Sequence, residues 1–283
     1  MPEEQGYANL TALVDTAWVA THLENPQIRL VEVDVDTSAY EIGHIPGAVG
    51  WHWQRDLQRQ PVRDIPSQRE WEALLGRSGI ANDTLVVLYG DNHNWFAAFA
   101  YWLFKLYGHA NVRLMNGGRA RWIGEARAVS QTTPWVTATG YRARRPNPAA
   151  RAFRDDVARG LVAAEHALVD VRSPREYAGE LLAPENLPQE GAQRGGHIPG
   201  AHNVPWATAV ADDGTFRSAG ELRAIYDGAG ITPDRAVITY CRIGERSAHT
   251  WFVLTELLGY PDVRNYDGSW TEWGSLIGAP IER

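Results

Sequence analysis

The residues with the clearest chemical potential lie in one segment, Tyr240-Cys241-Arg242-Ile243-Gly244-Glu245-Arg246-Ser247. The segment holds the single cysteine of the chain, and a cysteine thiolate is a strong nucleophile. Arg242 and Arg246 bring two positive charges close to Cys241, which favours the thiolate over the thiol. A lone cysteine in other settings is often a small buried apolar residue. In this setting the pattern predicts a nucleophile.

The neighbouring elements are predicted to place Cys241 between the end of a strand and the start of a helix. Ala236–Tyr240 is a short apolar run typical of a buried strand. Ala248–Leu258 carries aromatic and aliphatic residues at helical spacing, and Gly259 after it is typical of a helix end. The first turn of a helix presents unpaired N–H groups and positive partial charge, which also favour an anionic sulfur.

Length and charge limit the classes of protein to consider. The 283 residues suggest two domains, and 44% hydrophobic with 22% charged residues is typical of globular proteins. The net charge of -7 argues against nucleic acid or an anionic membrane as a partner, so we expect neither. The attraction of an anionic substrate must then come from local arginines.

The single cysteine also limits the cofactors. It excludes an internal disulfide and a multi-cysteine metal site, and we expect neither a metal nor another cofactor. Met1–Leu10 is acidic and polar without the apolar core of a signal peptide, and no apolar run is as long as a membrane span. We therefore expect a cytoplasmic protein.

Strand and helix patterns alternate along the first half of the chain. Predicted strands are Ile28–Val35, Leu85–Tyr89 and Asn111–Leu114, and predicted helices are Thr11–Leu23, Ser67–Leu75 and Phe96–Tyr107. Ser67 and Glu70 have the spacing of a capping box. Apolar strands that alternate with helices favour an α/β fold with a parallel sheet covered on both faces.

The second half of the chain repeats the first. The sequence Gly-His-Ile-Pro-Gly-Ala occurs without change at 43–48 and 196–201, and residues 79–122 align without a gap onto residues 230–273. We therefore predict a tandem duplication of one α/β domain, each copy an open parallel sheet with helices on both faces.

Proline and basic residues between the halves predict an extended linker. We place the first domain at 1–129, the linker at 130–152 and the second domain at 153–283. The second domain has an insertion that the first lacks, Gly179–Gly195, which is rich in Pro, Gly and Glu and is predicted to be a loop.

The duplication separates residues that serve the fold from residues that could do chemistry. His44 and His197 occupy the same turn in both halves, so a structural role is favoured over general-base catalysis for each. Cys241, in contrast, aligns with Gly90. The charge beside it is inverted too, because Arg242 aligns with an aspartate. We predict that the first domain is catalytically inactive.

These features resemble the two-domain rhodanese family over nearly the whole chain. The resemblance rests on the Gly-His-Ile-Pro-Gly-Ala turns, the Cys-Arg-x-Gly-x-Arg loop in the second half alone, the linker segment Arg145–Ala152 and the run Tyr266–Trp273. The charged loop fits the thiosulfate sulfurtransferase type of that family. The resemblance implies transfer of the sulfane sulfur of thiosulfate to cyanide or another thiophilic acceptor, through a persulfide on Cys241.

The resemblance also suggests how the loop binds sulfur and donor. The amides of Ile243, Gly244 and their neighbours are expected to hold the terminal persulfide sulfur, as they would another soft anion. Arg242, next to Cys241, is expected to bind the anionic donor. These residues form the core of the predicted substrate-binding set.

Three further loop residues belong to that set with alternative roles. Arg246 either binds substrate or forms a buried ion pair that fixes the loop, and both interpretations stay open. Glu245 is expected to be solvated or paired, and it would repel substrate if it pointed inward. Ser247 either donates a hydrogen bond to the thiolate or caps the helix.

Two residues outside the loop are weaker candidates for substrate binding. The family often has an arginine just before the aromatic residue that corresponds to Tyr177, but this chain has Glu176 there. Arg194, at the end of the insertion, could take over donor binding. Asp170 corresponds to a carboxylate in the first half, so it is expected to brace the sheet end and to border the pocket at most.

Three other functions stay open. The 3-mercaptopyruvate sulfurtransferases typically have a small neutral loop, Cys-Gly-x-Gly-Val, whereas the loop here is charged. Cysteine phosphatases need Cys, five residues and then Arg, but that position is Ser247 here and Arg246 comes one residue early, which makes the loop too small for a phosphoryl group. A non-catalytic sulfur carrier is the third alternative. We expect a small-molecule donor, cyanide or a thiol as acceptor, and a monomer with a dimer as the alternative.

Overall fold

Two parallel sheets of five strands each organise the part of the chain that the structure describes. The computed structural model describes residues 5–163, 166–184 and 191–283. The strands are β1 (Leu13–Val14), β2 (Ile28–Asp34), β3 (Val49–His52), β4 (Leu85–Tyr89), β5 (Val112–Met115), β6 (Arg151–Ala152), β7 (His166–Asp170), β8 (His202–Asn203), β9 (Ala236–Tyr240) and β10 (Val263–Tyr266). The α-helices are α1 (Thr16–Thr21), α2 (Ser38–Ile42), α3 (Trp53–Asp56), α4 (Gln68–Arg77), α5 (Trp95–Leu106), α6 (Gly118–Gly124), α7 (Arg154–Ala163), α8 (Pro174–Tyr177), α9 (Ala219–Gly228), α10 (Glu245–Phe252) and α11 (Ser269–Trp273).

The two sheets have the same topology. The first has the order β1-β5-β4-β2-β3 and the second the order β6-β10-β9-β7-β8, so each strand of the second sheet stands at the position of its counterpart in the first. All neighbouring strands within these two sheets pair in parallel. The predicted α/β fold and tandem duplication are confirmed.

The central strands lead to the edge of each sheet where chemistry is expected. β4 and β9 are buried over all but their first residue, as in parallel sheets that are covered on both faces. In register, Glu32 pairs with Tyr89 and Asp170 pairs with Tyr240 at the carboxyl ends of these strands. Open α/β sheets bind ligands beyond the carboxyl ends of their strands, and the loop with Cys241 begins there.

The chain divides into two compact units, each with one sheet. One unit comprises Thr11–Asn147 and Val210–Phe216, and the other comprises the described parts of Met1–Leu10, Pro148–Ala209 and Arg217–Arg283. In the second unit the N–H groups of Ala8 and Asn9 donate to the main-chain oxygens of Leu257 and Glu256, both at 2.9 Å. Neither unit is therefore one continuous stretch of chain.

The repeated Gly-His-Ile-Pro-Gly-Ala turn has the same structure in both units. The Nδ1 atom of His44 lies 2.8 Å from the main-chain oxygen of Tyr40, and the two rings stack. His197 and Tyr177 repeat both contacts, with an N–O distance of 3.0 Å. Each histidine therefore holds its turn together, which agrees with the structural role favoured from the sequence.

The predicted helix Thr11–Leu23 is wrong in its first part. Leu13–Val14 forms β1, which pairs with β5, and α1 begins only at Thr16. The side chain of Asp15 accepts a hydrogen bond from the N–H of Trp18 at 2.6 Å and so caps the helix at this point.

The predicted helix Ala248–Leu258 also has different bounds. α10 begins already at Glu245, and the chain continues from Phe252 into a π-helical turn, Val253–Leu257. Glu245 and Arg246 therefore lie on the first helical turn and not in the loop before it. The helix can start early because Gly244 adopts a left-handed conformation as its N-cap.

Other predictions about elements have mixed outcomes. The capping box of Ser67 and Glu70 is present at the start of α4. Residues 185–190 of the predicted loop Gly179–Gly195 lie outside the described residues. None of the helices that the structure describes combines the length and apolar character needed to span a membrane.

Candidate functional site

The segment that follows β9 forms a tight buried loop. Cys241 comes directly after the strand and has no exposed surface, and Gly244 is the N-cap of α10. Gly244 has a φ of 99°, and a Cβ atom there would lie 2.8 Å from the Cα atom of Asp267. A residue with a side chain would be strained and would collide at this position. The glycine lets the chain turn from the sulfur directly into the helix.

The first turn of α11 holds the cysteine loop by its main chain. The N–H of Trp270 donates to the oxygen of Cys241, and the N–H of Thr271 donates to the oxygen of Arg242, both at 3.0 Å. The hydroxyl of Ser269 accepts from the N–H of Cys241 at 3.1 Å. Ser269 has a φ of 54°, which is unfavourable for a residue other than glycine. These contacts fix the cysteine loop in one conformation.

Polar groups of Gly244, Glu245 and Ser247 contact the sulfur of Cys241. The N–H of Gly244 donates to Sγ at 3.1 Å, and the Oε2 atom of Glu245 lies 3.2 Å from Sγ. A thiol can donate its proton to a carboxylate, so the second contact is that of a hydrogen bond from the thiol. Glu245 is 1% exposed. Of the two expectations for Glu245, the solvated one is therefore wrong and the paired one agrees with the structure, because Oε1 lies 3.6 Å from Nε of Arg246 while Oε2 faces the sulfur.

The electrostatics of this loop differ from the expectation that it favours the thiolate. Burial raises the pKa of the Cys241 thiol, and the charge of Glu245 raises it further. The charge of Arg246 and hydrogen bonds from Ser247 lower the pKa but do not outweigh these effects. The sequence could not show that the sulfur is fully buried beside a carboxylate. The raised pKa favours the thiol form of Cys241 in the resting loop, and the thiol proton must leave before the sulfur can attack.

Arg246 forms the buried ion pair that was one of its two interpretations. Its Nη1 and Nη2 atoms lie 2.9 Å and 3.0 Å from the two carboxylate oxygens of Glu176, and both side chains are buried. Burial alone would raise the pKa of Glu176, but the hydrogen bonds and charge of Arg246 outweigh it and lower the pKa. Glu176, the departure from the family pattern, is thus the partner that holds the guanidinium beside the loop.

Ser247 of α10 and Asn265 of β10 support the loop. The hydroxyl of Ser247 lies 2.7 Å from the Oδ1 atom of Asn265 and 3.1 Å from the oxygen of Gly244. The Nδ2 group of Asn265 also donates to the oxygen of Gly244, at 3.1 Å. Asn265 was not among the site residues expected from the sequence. The signal was available, because Asn265 aligns with the apolar Leu114 in the first half and is a polar residue within a buried strand.

The two remaining loop side chains are buried as well. Arg242 and Ile243 are each 1% exposed. Burial lowers the pKa of the Arg242 guanidinium, and the charge of Glu245 acts in the opposite direction. A guanidinium stays protonated in proteins. Arg242 therefore places a positive charge directly after the cysteine.

Asp170 lies at the end of β7 in a buried ion pair. Its Oδ1 atom accepts from Nε of Arg172 at 2.9 Å, and the Nη2 group of Arg172 donates to the oxygen of Gly196 at 2.7 Å. Neither side chain of the pair has exposed surface. The guanidinium also lies 4.7 Å from the ring centroid of Trp270. Asp170 thus braces the strand end, and its partner Arg172 links it to the repeated turn that begins at Gly196 and to Trp270 of α11.

Arg194 binds main-chain oxygens near the end of the chain. Its guanidinium donates to the carbonyl oxygens of Gly274, Leu276 and Ala279, at 3.1, 2.7 and 3.1 Å. Its own oxygen accepts from the indole N–H of Trp270 at 2.9 Å. The structure therefore places Arg194 as a clamp on the residues after α11, and not among the groups that contact the sulfur of Cys241.

The corresponding loop of the first sheet has no nucleophile. Gly90 stands at the position of Cys241, and Asn94 stands at the position of Glu245. The Oδ1 atom of Asn94 accepts from the N–H of Gly90 at 2.9 Å, so a neutral amide fills this loop. A cavity of about 380 Å³ beside the loop has acidic side chains in its wall, namely Asp34, Asp36 and Asp91. This environment would repel an anion.

Curated relatives resemble the chain over nearly its whole length. The "Sulfur carrier protein TtuD" of Thermus thermophilus is 54% identical to it, over 98% of this chain and 99% of that protein. A protein of Haloferax volcanii named "Putative thiosulfate sulfurtransferase" is 55% identical, over 96% of each chain.

Solved structures share the fold of the chain. The anaerobic ergothioneine biosynthesis enzyme of Chlorobium limicola, in complex with trimethyl histidine, matches with a TM-score of 0.86 and 27% identity, over 98% of this chain and 71% of that one. A structure of EanB with ergothioneine covalently linked to a persulfide cysteine matches with a TM-score of 0.84 and 27% identity, over 97% and 70% of the two chains.

A family model covers both halves of the chain. The model described as a rhodanese-like domain matches residues 15–125 and again residues 153–276. Each match contains one of the two sheets, and the second contains the loop with Cys241. The chain therefore belongs to the rhodanese family, as a tandem pair of rhodanese-like domains.

Proposed function

We propose that the chain is a thiosulfate sulfurtransferase. It moves the sulfane sulfur of thiosulfate to cyanide or a thiol acceptor through a persulfide on Cys241. The observation that carries the proposal is the contact of 3.1 Å between the N–H of Gly244 and the sulfur, in a loop whose main chain is fixed by the first turn of α11. The name of the Haloferax volcanii relative supports the same donor.

The first half-reaction is attack by the Cys241 thiolate on the terminal sulfur of thiosulfate. A bond forms between the two sulfur atoms, the sulfur–sulfur bond of thiosulfate breaks, and sulfite leaves with the electron pair. Attack by cyanide or a thiolate on the terminal persulfide sulfur then regenerates Cys241. The sulfur needs no metal for this chemistry, because its thiolate is the nucleophile.

The loop is suited to hold one sulfur atom. The N–H of Gly244 already donates to Sγ, and a helix N-terminus favours an anion at this position. We infer that the same amide and its neighbours stabilise the terminal sulfur of the persulfide. The N–H of Cys241 donates to the hydroxyl of Ser269, so this N–H supports the loop and does not belong to the sulfur site.

The geometry of Arg246 disfavours a phosphatase. A phosphatase loop needs an arginine that faces the phosphoryl group. Arg246 comes one residue early for this role, and both of its terminal nitrogens bond to Glu176. We therefore assign Arg246 to the support of the loop.

Arg242 is the residue we propose for selection of the donor. Thiosulfate carries two negative charges on a compact head, and a buried guanidinium next to Cys241 favours it. The alternative donor, 3-mercaptopyruvate, carries a single carboxylate and is the substrate of relatives with a neutral loop.

A sulfur carrier is the second candidate function. The Thermus thermophilus relative named as a sulfur carrier protein is 54% identical over nearly the whole chain. Both functions need a persulfide on Cys241, and they differ in the acceptor. A carrier delivers the sulfur to a protein, whereas an enzyme of the proposed type turns over with cyanide.

Steady-state kinetics with the two donors test the proposed specificity. We expect kcat/KM for thiosulfate to exceed that for 3-mercaptopyruvate in the wild-type protein. Arg242→Gly should lower kcat/KM for thiosulfate by about 100-fold, because a charge-assisted contact to the donor is lost. Arg242→Lys keeps the charge and is the matched control.

The ratio of the two kcat/KM values decides the result. A ratio that is unchanged in Arg242→Gly would refute the role of this guanidinium in donor selection. A wild-type protein that forms the persulfide from thiosulfate but does not turn over with cyanide would favour the carrier function. A location in the cytoplasm and a monomeric state stay predictions, to be tested by cell fractionation and by light scattering.

A further inference from the structure

We propose that Glu245 is a catalytic residue whose carboxylate accepts the thiol proton of Cys241 as the sulfur attacks its donor. The proposal rests on the persulfide chemistry proposed above and adds the group that takes up the proton. It changes the role of Glu245 from a substrate-binding candidate to the proton acceptor of the reaction.

The geometry of the pair favours direct transfer. Oε2 of Glu245 lies 3.2 Å from Sγ of Cys241, within hydrogen-bond distance for sulfur. Cys241 has no exposed surface, and Glu245 is 1% exposed. Bulk water therefore does not reach the thiol, whereas the carboxylate already contacts it. A general base must lie within hydrogen-bond reach of the proton that it removes.

The first domain shows what this loop position needs for folding alone. Asn94 occupies the position of Glu245, is 1% exposed, and turns its Oδ1 atom into the loop towards the N–H of Gly90 at 2.9 Å. A neutral amide therefore suffices to fill and close the loop. The copy with the sulfur has an ionisable carboxyl group instead. Its Oε1 atom lies 3.6 Å from Nε of Arg246, which offsets the cost of burying the charge, and its Oε2 atom is the one directed at the sulfur.

The charged groups around Cys241 balance one another, so an additional negative charge would be uncompensated. Three nearby ion pairs are neutral in themselves: Arg246 with Glu176 of α8, Arg172 with Asp170 of β7, and Arg151 with Asp267 beside Gly244. Glu245 also contacts Arg246, with 3.6 Å between Oε1 and Nε, and the charge of Arg242 brings the sum of these four arginines and four carboxylates to zero. A thiolate beside an ionised Glu245 would add an unbalanced charge, and the anionic donor would add more. If Glu245 takes the proton, the total charge of the site stays the same.

The step balances without another reactant. The S–H bond of Cys241 breaks and an O–H bond forms at the carboxylate of Glu245. The sulfur electron pair attacks the terminal sulfur of thiosulfate, and sulfite leaves with the electrons of the broken sulfur–sulfur bond. The cysteine sulfur is oxidised to the persulfide level while the sulfonate sulfur is reduced to sulfite, so no external oxidant is required. The neutral carboxyl group can then donate a hydrogen bond to the persulfide.

Single-turnover rates as a function of pH test the proposal. Persulfide formation from thiosulfate is followed by intact mass in the wild-type protein and in Glu245→Gln. If Glu245 accepts the proton, the wild-type reaction does not require loss of the thiol proton to solvent, so its rate persists at acidic pH. In Glu245→Gln the thiol must lose its proton to solvent, so the acidic limb of the profile moves to higher pH. At about pH 6 we expect the variant to be about 100-fold slower.

A bystander carboxylate predicts a shift in the opposite direction. If Glu245 only repels the thiolate, its removal lowers the pKa of Cys241 and moves the acidic limb to lower pH, with a faster reaction at neutral pH. Such a shift would overturn the proposal. Glu245→Asn tests the same point with the amide that the first domain uses, in case the glutamine variant does not fold. Glu41→Gln removes an exposed carboxylate from the other unit and is the matched control.

Alkylation of Cys241 by iodoacetamide separates this proposal from the proposed function. The chain has one cysteine, so the rate reports this site alone. The acidic limb of alkylation should move in Glu245→Gln as it does for thiosulfate. A wild-type protein that forms no persulfide but shows this shift would refute the thiosulfate function and retain Glu245 as the proton acceptor. An alkylation limb that stays in place or moves to lower pH would refute the proton transfer.

Discussion

At the scale of residues, the site is built from charges that are buried in pairs. Arg246 and Glu176 form two hydrogen bonds in the interior, and Arg172 with Asp170 does the same at the end of β7. A pair of this kind gives little net stabilisation compared with apolar packing, but removal of one partner leaves an uncompensated buried charge. The pairs therefore position the loop at the cost of making it sensitive to substitution.

Because Arg246 and Glu176 form a buried pair, we expect Glu176→Gln to destabilise the protein. The variant removes the carboxylate that bonds both terminal nitrogens of Arg246 and leaves the longer contact of Nε with Glu245, at 3.6 Å, so we expect the free energy of unfolding to fall by about 3 kcal/mol. Chemical denaturation measures this change. Because the pKa of Glu176 is lowered in the folded protein, the stabilisation is present above the ordinary carboxyl pKa and is lost as the pH falls through the lowered value.

A surface pair serves as the control for that prediction. Arg175 and Glu180 lie 3.7 Å apart with both side chains more than half exposed. Glu180→Gln should change the free energy of unfolding by less than about 1 kcal/mol. If Glu176→Gln were equally mild, the buried pair would not hold the loop as described.

At the scale of elements, the loop after β9 and the first turn of α11 make the site together. The loop carries the sulfur and turns into α10 at Gly244, and α11 accepts and donates the hydrogen bonds that fix the loop. The turn depends on the positive φ of Gly244 and on the close approach of Asp267. The geometry around the sulfur is therefore set by the main chain as much as by side chains.

Gly244→Ala tests the dependence on this turn. The new Cβ atom would collide with the main chain at Asp267, and the positive φ is unfavourable for alanine. We expect the variant to unfold more easily by about 2 kcal/mol and to form the persulfide more slowly, since the N–H that contacts the sulfur is displaced. Thermal unfolding and single-turnover mass measurements check the two effects.

Gly220→Ala is the matched control for this variant. Gly220 lies within α9, and a Cβ atom there would meet nothing within 4 Å. Alanine favours a helix over glycine by up to about 1 kcal/mol, so this substitution should leave the protein as stable or more so. Equal behaviour of the two variants would contradict the role of Gly244.

At the scale of the whole molecule, the duplication made much of the fold predictable from the sequence. The repeated turns and the ungapped alignment indicated two copies of one α/β domain, and the two sheets have the same strand order. The position of Cys241 after a buried strand also followed from pattern alone. These features depend on local sequence and on repetition, which a single chain displays.

The contacts that the sequence could not reveal join residues that are distant along the chain. Arg119 of the first domain bonds to Glu32, whereas Arg172 makes the corresponding contact with Asp170 in the second. The guanidinium reaches the same place from a different element in each copy, so position in the alignment did not reveal the contact. The alignment did not reveal the contact of Glu176 with Arg246 either. The burial of Glu245 against the sulfur was missed because charge and spacing do not show which way a side chain points.

The proposed mechanism depends above all on the Sγ atom of Cys241 as the atom that receives the sulfur. Intact mass spectrometry after treatment with thiosulfate tests it most directly, with Cys241→Ser as the matched variant. We expect the wild-type protein to gain the mass of one sulfur atom, cyanide to remove it, and the folded Cys241→Ser protein to gain nothing. A wild-type protein without the adduct, or an adduct that persists in Cys241→Ser, would contradict the account.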